Sequence, residues 1–314
     1  MIYFLKNNAI DFSKWDACID RAINGNLYAK SWYLNIVHPG WCALVENDYE
    51  RIFPLPVSRK AGIKYIMQPF FTQQLGLYYP PTHAEIKPEE FLLSIPEEYK
   101  YIDINLNTSN RLKAPFKTSD MTNMELDLNA NYDKIEAGYQ TNLKRNLKKA
   151  AFQKLSLTEH IQPEEIISMF RMNRGRDLQH LQESQYKIIE RIAYESIHHG
   201  IGESCGVYDE YNQLIAGALW IKYHQKAIFL FSGLTENGKQ MHAMPYMIDS
   251  FIRKNAGKAL ILDFEGSNDE GLARFYGSFG ATRVFYQRFT QNKLPFPLKF
   301  GVTAYRRIRN LLGK

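Results

Sequence analysis

One order of secondary structure elements is predicted twice along this chain of 314 residues. In the second half, apolar residues at strand and helix spacing predict strand, helix, helix, three strands, helix, strand, helix and strand. The first half repeats most of this order with weaker signals, and between residues 107 and 120 the pattern of elements is no longer clear. A repeated order indicates a tandem duplication of one α/β unit. We therefore expect an α+β fold with mixed sheets.

The predicted bounds place a degenerate first copy in residues 1–130 and a second copy in residues 131–314. The first copy has strands at 2–5, 41–46, 49–58, 64–67 and 101–105, and helices at 11–22, 31–38 and 89–94. The second copy has strands at 155–158, 204–208, 214–223, 227–232, 260–264 and 284–289, and helices at 163–173, 184–199, 245–256 and 269–279. A basic linker helix, residues 131–153, joins the copies.

Positive charge is concentrated in two segments. The net charge is +6, and residues 139–154 and 299–314 each carry five basic residues and no acid. Such patches favour an anionic partner, either a phosphorylated substrate, RNA or an anionic membrane surface. The second segment is predicted as a basic C-terminal helix that could contact a membrane. The alternative is that both segments are ordinary solvated helix faces.

Membrane spans, secretion and metal sites are not expected. The longest apolar run, residues 214–221, is far shorter than the roughly 20 residues that a spanning helix needs. The N-terminal apolar stretch is too short for a signal peptide, and three scattered cysteines fit a reducing cytoplasm. His198 and His199 are adjacent on a predicted helix, so they point about 100° apart and seldom share one metal ion.

Three stretches resemble one enzyme family: residues 142–150 (NLKRNLKKA), residues 243–248 (AMPYMI), and residues 263–267 (DFEGS) followed by 271–280 (GLARFYGSFG). With the repeated order, they resemble the FemAB-like (BioF2-like) branch of the GNAT acyltransferase superfamily. The resemblance implies two tandem GNAT-like domains. It also implies an N-acyltransferase that moves an acyl or aminoacyl group from a carrier to an amine.

The resemblance leaves the carrier open. It implies acyl-CoA, as in GNAT enzymes, or aminoacyl-tRNA, as in the FemAB enzymes that build peptidoglycan cross-bridges. Either would be a co-substrate, with no tightly bound cofactor and no DNA partner, and the acceptor would be a small-molecule or cell-envelope-precursor amine. Gln240 and Ala243 lie where a CoA-binding loop would be, but Pro245 has no N–H to offer a pyrophosphate. Tyr276, four residues before Gly280, instead matches the GNAT tyrosine that protonates the CoA thiolate.

Candidate catalytic residues follow the last buried strand. Glu265 lies just past the strand end, where ligands gather in α/β sheets, and could accept the proton of the amine. Asp263 lies within the strand and would need a partner if buried. Tyr276 could donate a proton to the leaving group. The alternative roles are structural: the two carboxylates orient the loop, and Tyr276 is a core residue.

Further residues are predicted to bind substrate. Lys144, Arg145 and Lys148 are candidates for phosphate contacts. The others are loop residues near predicted strand ends: Gln73, Gln74, Ser267 and Asn268. The rival function is a catalytically inactive GNAT-like protein that uses the basic residues to bind RNA, a phosphorylated metabolite or a membrane surface.

Overall fold

The computed structural model describes residues 1–82, 87–178, 181–265 and 268–299. The chain forms two compact units: Met1–Thr122 with the residues from Phe285 on, and Asn123–Val284. The predicted division at residue 130 differs from this partition at the C-terminal end, since the last strand returns to the first unit. The basic C-terminal helix predicted over residues 299–314 lies, from residue 300 on, outside the described residues. In the described ranges, no helix is both long and apolar enough to cross a bilayer.

The first unit contains two sheets. Its elements are β1 (Ile2–Leu5), α1 (Phe12–Arg21), α2 (Ser31–Val37), β2 (Cys42–Glu46), β3 (Arg51–Leu55), β4 (Val57–Lys60), β5 (Ile63–Met67), α3 (Pro88–Leu93) and β6 (Tyr99–Asn105). Strands β1, β2 and β3 pair antiparallel. Strand β4 pairs antiparallel with β5, which is parallel to β6. The strand predicted at 49–58 is two strands, separated at Pro56, which has no N–H for a ladder.

After its first two helices, the second unit follows a similar order, with three central strands where the first unit has four. The remaining elements are β7 (Thr118–Asp127), α4 (Tyr132–Ala137), α5 (Thr141–Ala150), β8 (Ser156–Glu159), α6 (Pro163–Met172), α7 (Glu183–His198), β9 (Gly202–Tyr208), β10 (Leu214–Tyr223), β11 (Lys226–Leu234), α8 (Glu236–Gln240), α9 (Ala243–Asn255), β12 (Ile261–Asp263), α10 (Glu270–Gly277) and β13 (Thr282–Asn292). In its sheet, β8, β9, β10 and β11 are successive antiparallel neighbours. Strand β12 is parallel to β11 and antiparallel to β7. This mixed sheet agrees with the predicted fold class.

The basic linker helix predicted over residues 131–153 is wrong as a single helix. The chain forms α4 and α5, and it leaves helical geometry at Gln140, the extended N-cap of α5. The Tyr139 side chain is buried, and its hydroxyl donates to Asp249 Oδ1 at 2.9 Å. The Gln140 N–H donates to the carbonyl of Ser278 at 2.8 Å. These distant contacts override the local helical pattern.

Helix α6 lies unusually close to the sheet of the second unit. A Cβ on Gly233 of β11 would be 2.4 Å from the Ile166 carbonyl oxygen and 2.8 Å from the Met169 Cβ. The three nearest atoms to a Cβ on Gly217 of β10 belong to side chains: Ile166 Cγ1 and Met169 Cε at 3.0 Å, and Ile161 Cδ1 at 3.1 Å. Glycine at position 233 therefore sets the height of α6 above the sheet.

Replacing Gly233 by alanine is expected to lower the free energy of unfolding by about 3 kcal/mol, the upper end of the usual cost of overpacking. The obstacle is helix backbone, which cannot rotate away. Urea unfolding of the variant measures the loss. Gly217→Ala is the matched control and should cost less, because flexible side-chain ends can move. Equal stability of wild type and Gly233→Ala would contradict the packing described.

Candidate active site

The site begins where β12 ends. Asp263 is the last residue of this strand, and Glu265 follows two residues later in the left-handed region, at φ +53°. The Asp263 Oδ1 accepts the Glu265 N–H at 3.0 Å. A left-handed conformation is costly for a residue with a side chain. This hydrogen bond helps to hold Glu265 in that conformation.

Asp263 has the partners that its burial demands. It is 3% exposed, and its Oδ1 also accepts the Asn123 Nδ2 at 2.9 Å. Its Oδ2 lies 3.5 Å from the Nζ of Lys226, which also pairs with Glu125. Burial alone would lower the pKa of Lys226, but the charges of Asp263 and Glu125 outweigh it and raise that pKa. These contacts make Asp263 a positioning residue for the loop, and its predicted catalytic role stays a prediction.

Tyr276 lies on α10, behind the same loop. Asp269 caps this helix, since its Oδ1 accepts the N–H groups of Gly271 and Leu272 at 2.7 and 3.1 Å. The buried Tyr276 ring stacks on Phe264, with ring centroids 4.6 Å apart. Burial raises the pKa of Tyr276, and the charge of Glu265 raises it further. The hydroxyl is therefore a neutral proton donor at physiological pH.

Desolvation also acts on the carboxyl of Glu265. This residue keeps part of its surface accessible, but the surrounding protein raises its pKa by desolvation to about 8. The carboxyl is mostly protonated at neutral pH and ionised above pH 8, where it can accept a proton. A base works best when its pKa is near the working pH. Glu265 and Tyr276 thus suit the acceptor and donor roles of one reaction.

A cavity of 690 Å³ lies in front of Tyr276. It is lined by residues from α6 and the turn after it, from β11 and α8, from the start of α9 and from α10: Phe170, Asn173, Arg174, Leu178, Phe229, Ser232, Leu234, Gly238, Lys239, His242, Met244, Pro245, Leu272, Phe275 and Tyr276. This size is typical of small-ligand sites.

The predicted basic residues lie elsewhere in the second unit. Lys144, Arg145 and Lys148 are exposed on α5. Lys144 and Lys148 line another cavity, of 770 Å³, with Tyr246, Asp249 and Arg253 among its other walls. The Arg145 Nη2 donates to Asn142 Oδ1 at 2.8 Å. Among the lining residues that the structure describes, the two cavities have none in common.

The remaining predicted residues are dispersed. Gln73 and Gln74 belong to the first unit, where the Gln74 Nε2 donates to Gln73 Oε1 at 2.7 Å. The Gln74 Oε1 accepts the N–H of Thr108 at 3.1 Å. Gln74 is therefore engaged in holding its own loop, and substrate contact by these two residues stays a prediction.

Gln240 is exposed at the end of α8, and the side chain of Ala243 is buried in the core at the start of α9. Neither residue is among those that line the cavity beside Tyr276. Asn268 is exposed just before the Asp269 cap, and Ser267 lies outside the described residues.

Sequence reasoning missed the cations of the cavity. Arg174 follows α6, and Lys239 lies in the last turn of α8, about 65 residues later. His242 is half-buried, lies in the left-handed region at φ +56° and is the N-cap residue of α9. Burial, and then the charge of Lys149, lowers the pKa of His242. In the sequence, this part of the cavity is marked by Pro245, which is one of the lining residues.

Comparisons with known proteins show the fold. No family model matches the chain, and no curated protein sequence matches it significantly. The crystal structure of FemX is similar with a TM-score of 0.62 and 12% identity, over 88% of this chain and 96% of FemX. The C-terminal domain of a putative lysylphosphatidylglycerol synthetase from Agrobacterium fabrum gives 0.56 and 10%, over 95% of both chains. L-PGS from Bacillus licheniformis gives 0.55 and 8%, over 94% and 95%. These likenesses confirm the predicted fold, which is that of FemX and of the lysylphosphatidylglycerol synthetase domain.

Proposed function

We propose that this protein is an N-acyltransferase, which moves an acyl or aminoacyl group from a carrier to an amine. The observation that carries the proposal is that a carboxyl and a phenol lie close together after one strand: Glu265 just past β12, and the buried Tyr276 on α10, whose hydroxyl is influenced by the charge of Glu265. The fold shared with FemX and the lysylphosphatidylglycerol synthetase domain supports the reaction class. The acceptor, in this proposal, is a cell-envelope-precursor amine, as in peptidoglycan assembly, and the reaction takes place in the cytoplasm.

The proposed reaction is a direct transfer. The lone pair of the neutral amine attacks the carbonyl carbon of the donor, and ionised Glu265 accepts the proton that the nitrogen loses as the C–N bond forms. The tetrahedral intermediate collapses, the bond to the sulfur or oxygen of the carrier breaks, and the Tyr276 hydroxyl gives its proton to that atom. Solvent then reprotonates Tyr276 and removes the proton from Glu265.

The cysteines fit a mechanism without a covalent enzyme intermediate. Cys18, Cys42 and Cys205 are all buried and free. Burial raises the pKa of Cys18 and of Cys205 to about 11, and raises that of Cys42. A buried thiol of this kind carries little thiolate, which is the nucleophilic form.

Replacing Tyr276 by phenylalanine is expected to lower the rate of amine acylation about 10²-fold, the lower end of the range for a positioned acid. The assay combines acyl-CoAs and aminoacyl-tRNAs with amine acceptors, and mass spectrometry detects the amide. Tyr211→Phe, on an exposed tyrosine, is the control and should keep the wild-type rate. Absence of amide with every donor would refute the proposed function.

A second candidate function is supported by the exposure of Lys144, Arg145 and Lys148 on one short helix. In this case the protein would bind an anionic partner without catalysis, such as RNA, a phosphorylated metabolite or a membrane surface. The double substitution Lys144→Glu/Lys148→Glu tests it. Loss of RNA or vesicle binding in this variant, with no amide formed by wild type, would favour the binding function.

A further inference from the structure

The cavity beside Tyr276 combines an apolar floor with cations. Its apolar walls are contributed by several elements of the second unit: Phe170, Leu178, Phe229, Leu234, Met244, Leu272 and Phe275. The charged side chains among its described lining residues are Arg174 and Lys239, with His242 as a further titratable group. Such a lining suits a ligand with an apolar portion and an anionic portion.

We infer that the donor carries an apolar acyl group of several carbons, held as a thioester on a phosphorylated carrier. This inference rests on the proposed function and names its donor class. The acyl chain lies against the floor formed by Phe229, Leu234 and Leu272, and its carbonyl lies near Tyr276. Arg174 and Lys239 contact the phosphate of the carrier.

Desolvation distinguishes this donor from a smaller one. An acetyl group would leave most of the apolar floor in contact with water. Each buried methylene of a longer chain is favourable by about 0.8 kcal/mol, which corresponds to about a fourfold gain in affinity. A longer apolar chain is therefore the better match to the lining.

Charge distinguishes the same donor from an aminoacyl group. An aminoacyl donor carries a free ammonium next to its carbonyl. Here that ammonium would enter a cavity whose charged lining residues, among those described, are the cations Arg174 and Lys239, each paired with an exposed carboxylate that is not part of the lining. Like charges at short range are unfavourable, and a buried ammonium without a partner is costly. An acyl group without an ammonium avoids both costs.

Arg174 and Lys239 can leave their present carboxylate partners and bind a phosphate instead. Arg174 pairs with Asp269 at 3.2 Å, and both side chains are exposed. Asp269 keeps the N–H groups of Gly271 and Leu272 when Arg174 turns away. Lys239 lies 3.8 Å from Glu236 in an exposed pair, which is worth little in water. Exchange of these contacts for a phosphate therefore costs little.

The test compares acetyl-, butyryl-, hexanoyl-, octanoyl- and decanoyl-CoA with one amine acceptor. We expect kcat/KM to rise about twofold to fourfold for each added methylene until the cavity is filled, the upper figure applying to full burial. Glycyl- and lysyl-tRNA are tested beside them and should be poorer donors. A flat profile, or a maximum at acetyl-CoA or at an aminoacyl-tRNA, would overturn the inference.

Two leucines provide a matched pair of variants. Leu272 lines the cavity and is 36% exposed, whereas Leu157 on β8 is 37% exposed and does not line it. Leu272→Gln should flatten the dependence on chain length, and Leu157→Gln should leave it as in wild type. Equal dependence in both variants would show that the chain does not lie on this floor.

The failure of this inference is distinct from failure of the proposed function. Amide formation without preference for long chains refutes only the inference, whereas no amide with any donor refutes both. The phosphorylated carrier has two sources, CoA and a phosphopantetheinylated carrier protein. A carrier protein loaded with the decanoyl group forms a parallel arm, and the arm with the higher kcat/KM identifies the source. Arg174→Gln should raise KM several-fold in the preferred arm, and an unchanged KM in both arms would contradict the phosphate contact.

Discussion

Replacing Glu265 by glutamine is expected to lower kcat/KM for amine acylation about 10³-fold, within the range for loss of a general base. Glutamine keeps the size of the side chain but cannot accept the proton of the amine. Steady-state rates with saturating donor measure the loss. Glu270→Gln, on an exposed glutamate at the start of α10, is the control and should retain the wild-type rate. A loss below tenfold in Glu265→Gln would exclude Glu265 as the base.

The pH profile gives an independent readout of the same role. Because the pKa of Glu265 is raised to about 8, the ionised fraction in the native protein increases about tenfold per pH unit below that value. The wild-type kcat/KM should therefore rise with pH and level off above pH 8. The residual activity of Glu265→Gln should lack this step. An identical step in both proteins would assign the titration to another group, such as the amine substrate.

Replacing Asp263 by alanine is expected to lower the free energy of unfolding by about 3 kcal/mol, the upper end of the usual cost of leaving buried polar groups without a hydrogen-bond partner. The substitution leaves Lys226 with Glu125 alone. It removes the 2.9 Å bond of the Asn123 amide, which keeps its 3.3 Å bond to Glu125, and it removes an acceptor of the Glu265 N–H. Urea unfolding at neutral pH measures the loss. Asp120→Ala is the control, since Asp120 is exposed and pairs with Arg111 at 3.5 Å, and it should cost less than 1 kcal/mol.

Asp263→Asn separates charge from shape. Asparagine retains an oxygen that can accept the Glu265 N–H, so this variant should keep more activity than Asp263→Ala. Equal activity of the two variants, both folded, would contradict a positioning role for the carboxylate. A loss of stability below 1 kcal/mol in Asp263→Ala would contradict the buried pair itself.

Local signals in the sequence predicted most of the fold. Glycines and prolines mark the ends and starts of helices, and they can be recognised from the neighbouring residues alone. Helix α6, for example, begins at Pro163 as predicted. The break between α4 and α5 depends on Asp249, more than a hundred residues away. Strand β7 was missed because its sequence, TSDMTNMELD, is mostly polar, although Asn123, Met124 and Leu126 are buried. These features depend on tertiary contacts that no local pattern encodes.

The candidate site was predictable to the same extent. Glu265 and Tyr276 follow one strand, so chain order alone suggested that they lie together. The need of Asp263 for a partner followed from its apolar surroundings, but Lys226, Glu125 and Asn123 come from other strands and could not be inferred. Arg174 and Lys239 reach the cavity from separate elements, and their ordinary sequence context gave no indication of a shared site.

Because its three thiols are buried, the folded chain should react little with chromogenic thiol reagents. In an assay of the native enzyme, the thiol released from a thioester donor would then account for most of the absorbance change of such a reagent. Under denaturant the same reagents would react with Cys18 and Cys42 of the first unit and with Cys205 of the second. Mass mapping of the labelled peptides could thus report the opening of each unit separately, without any added probe.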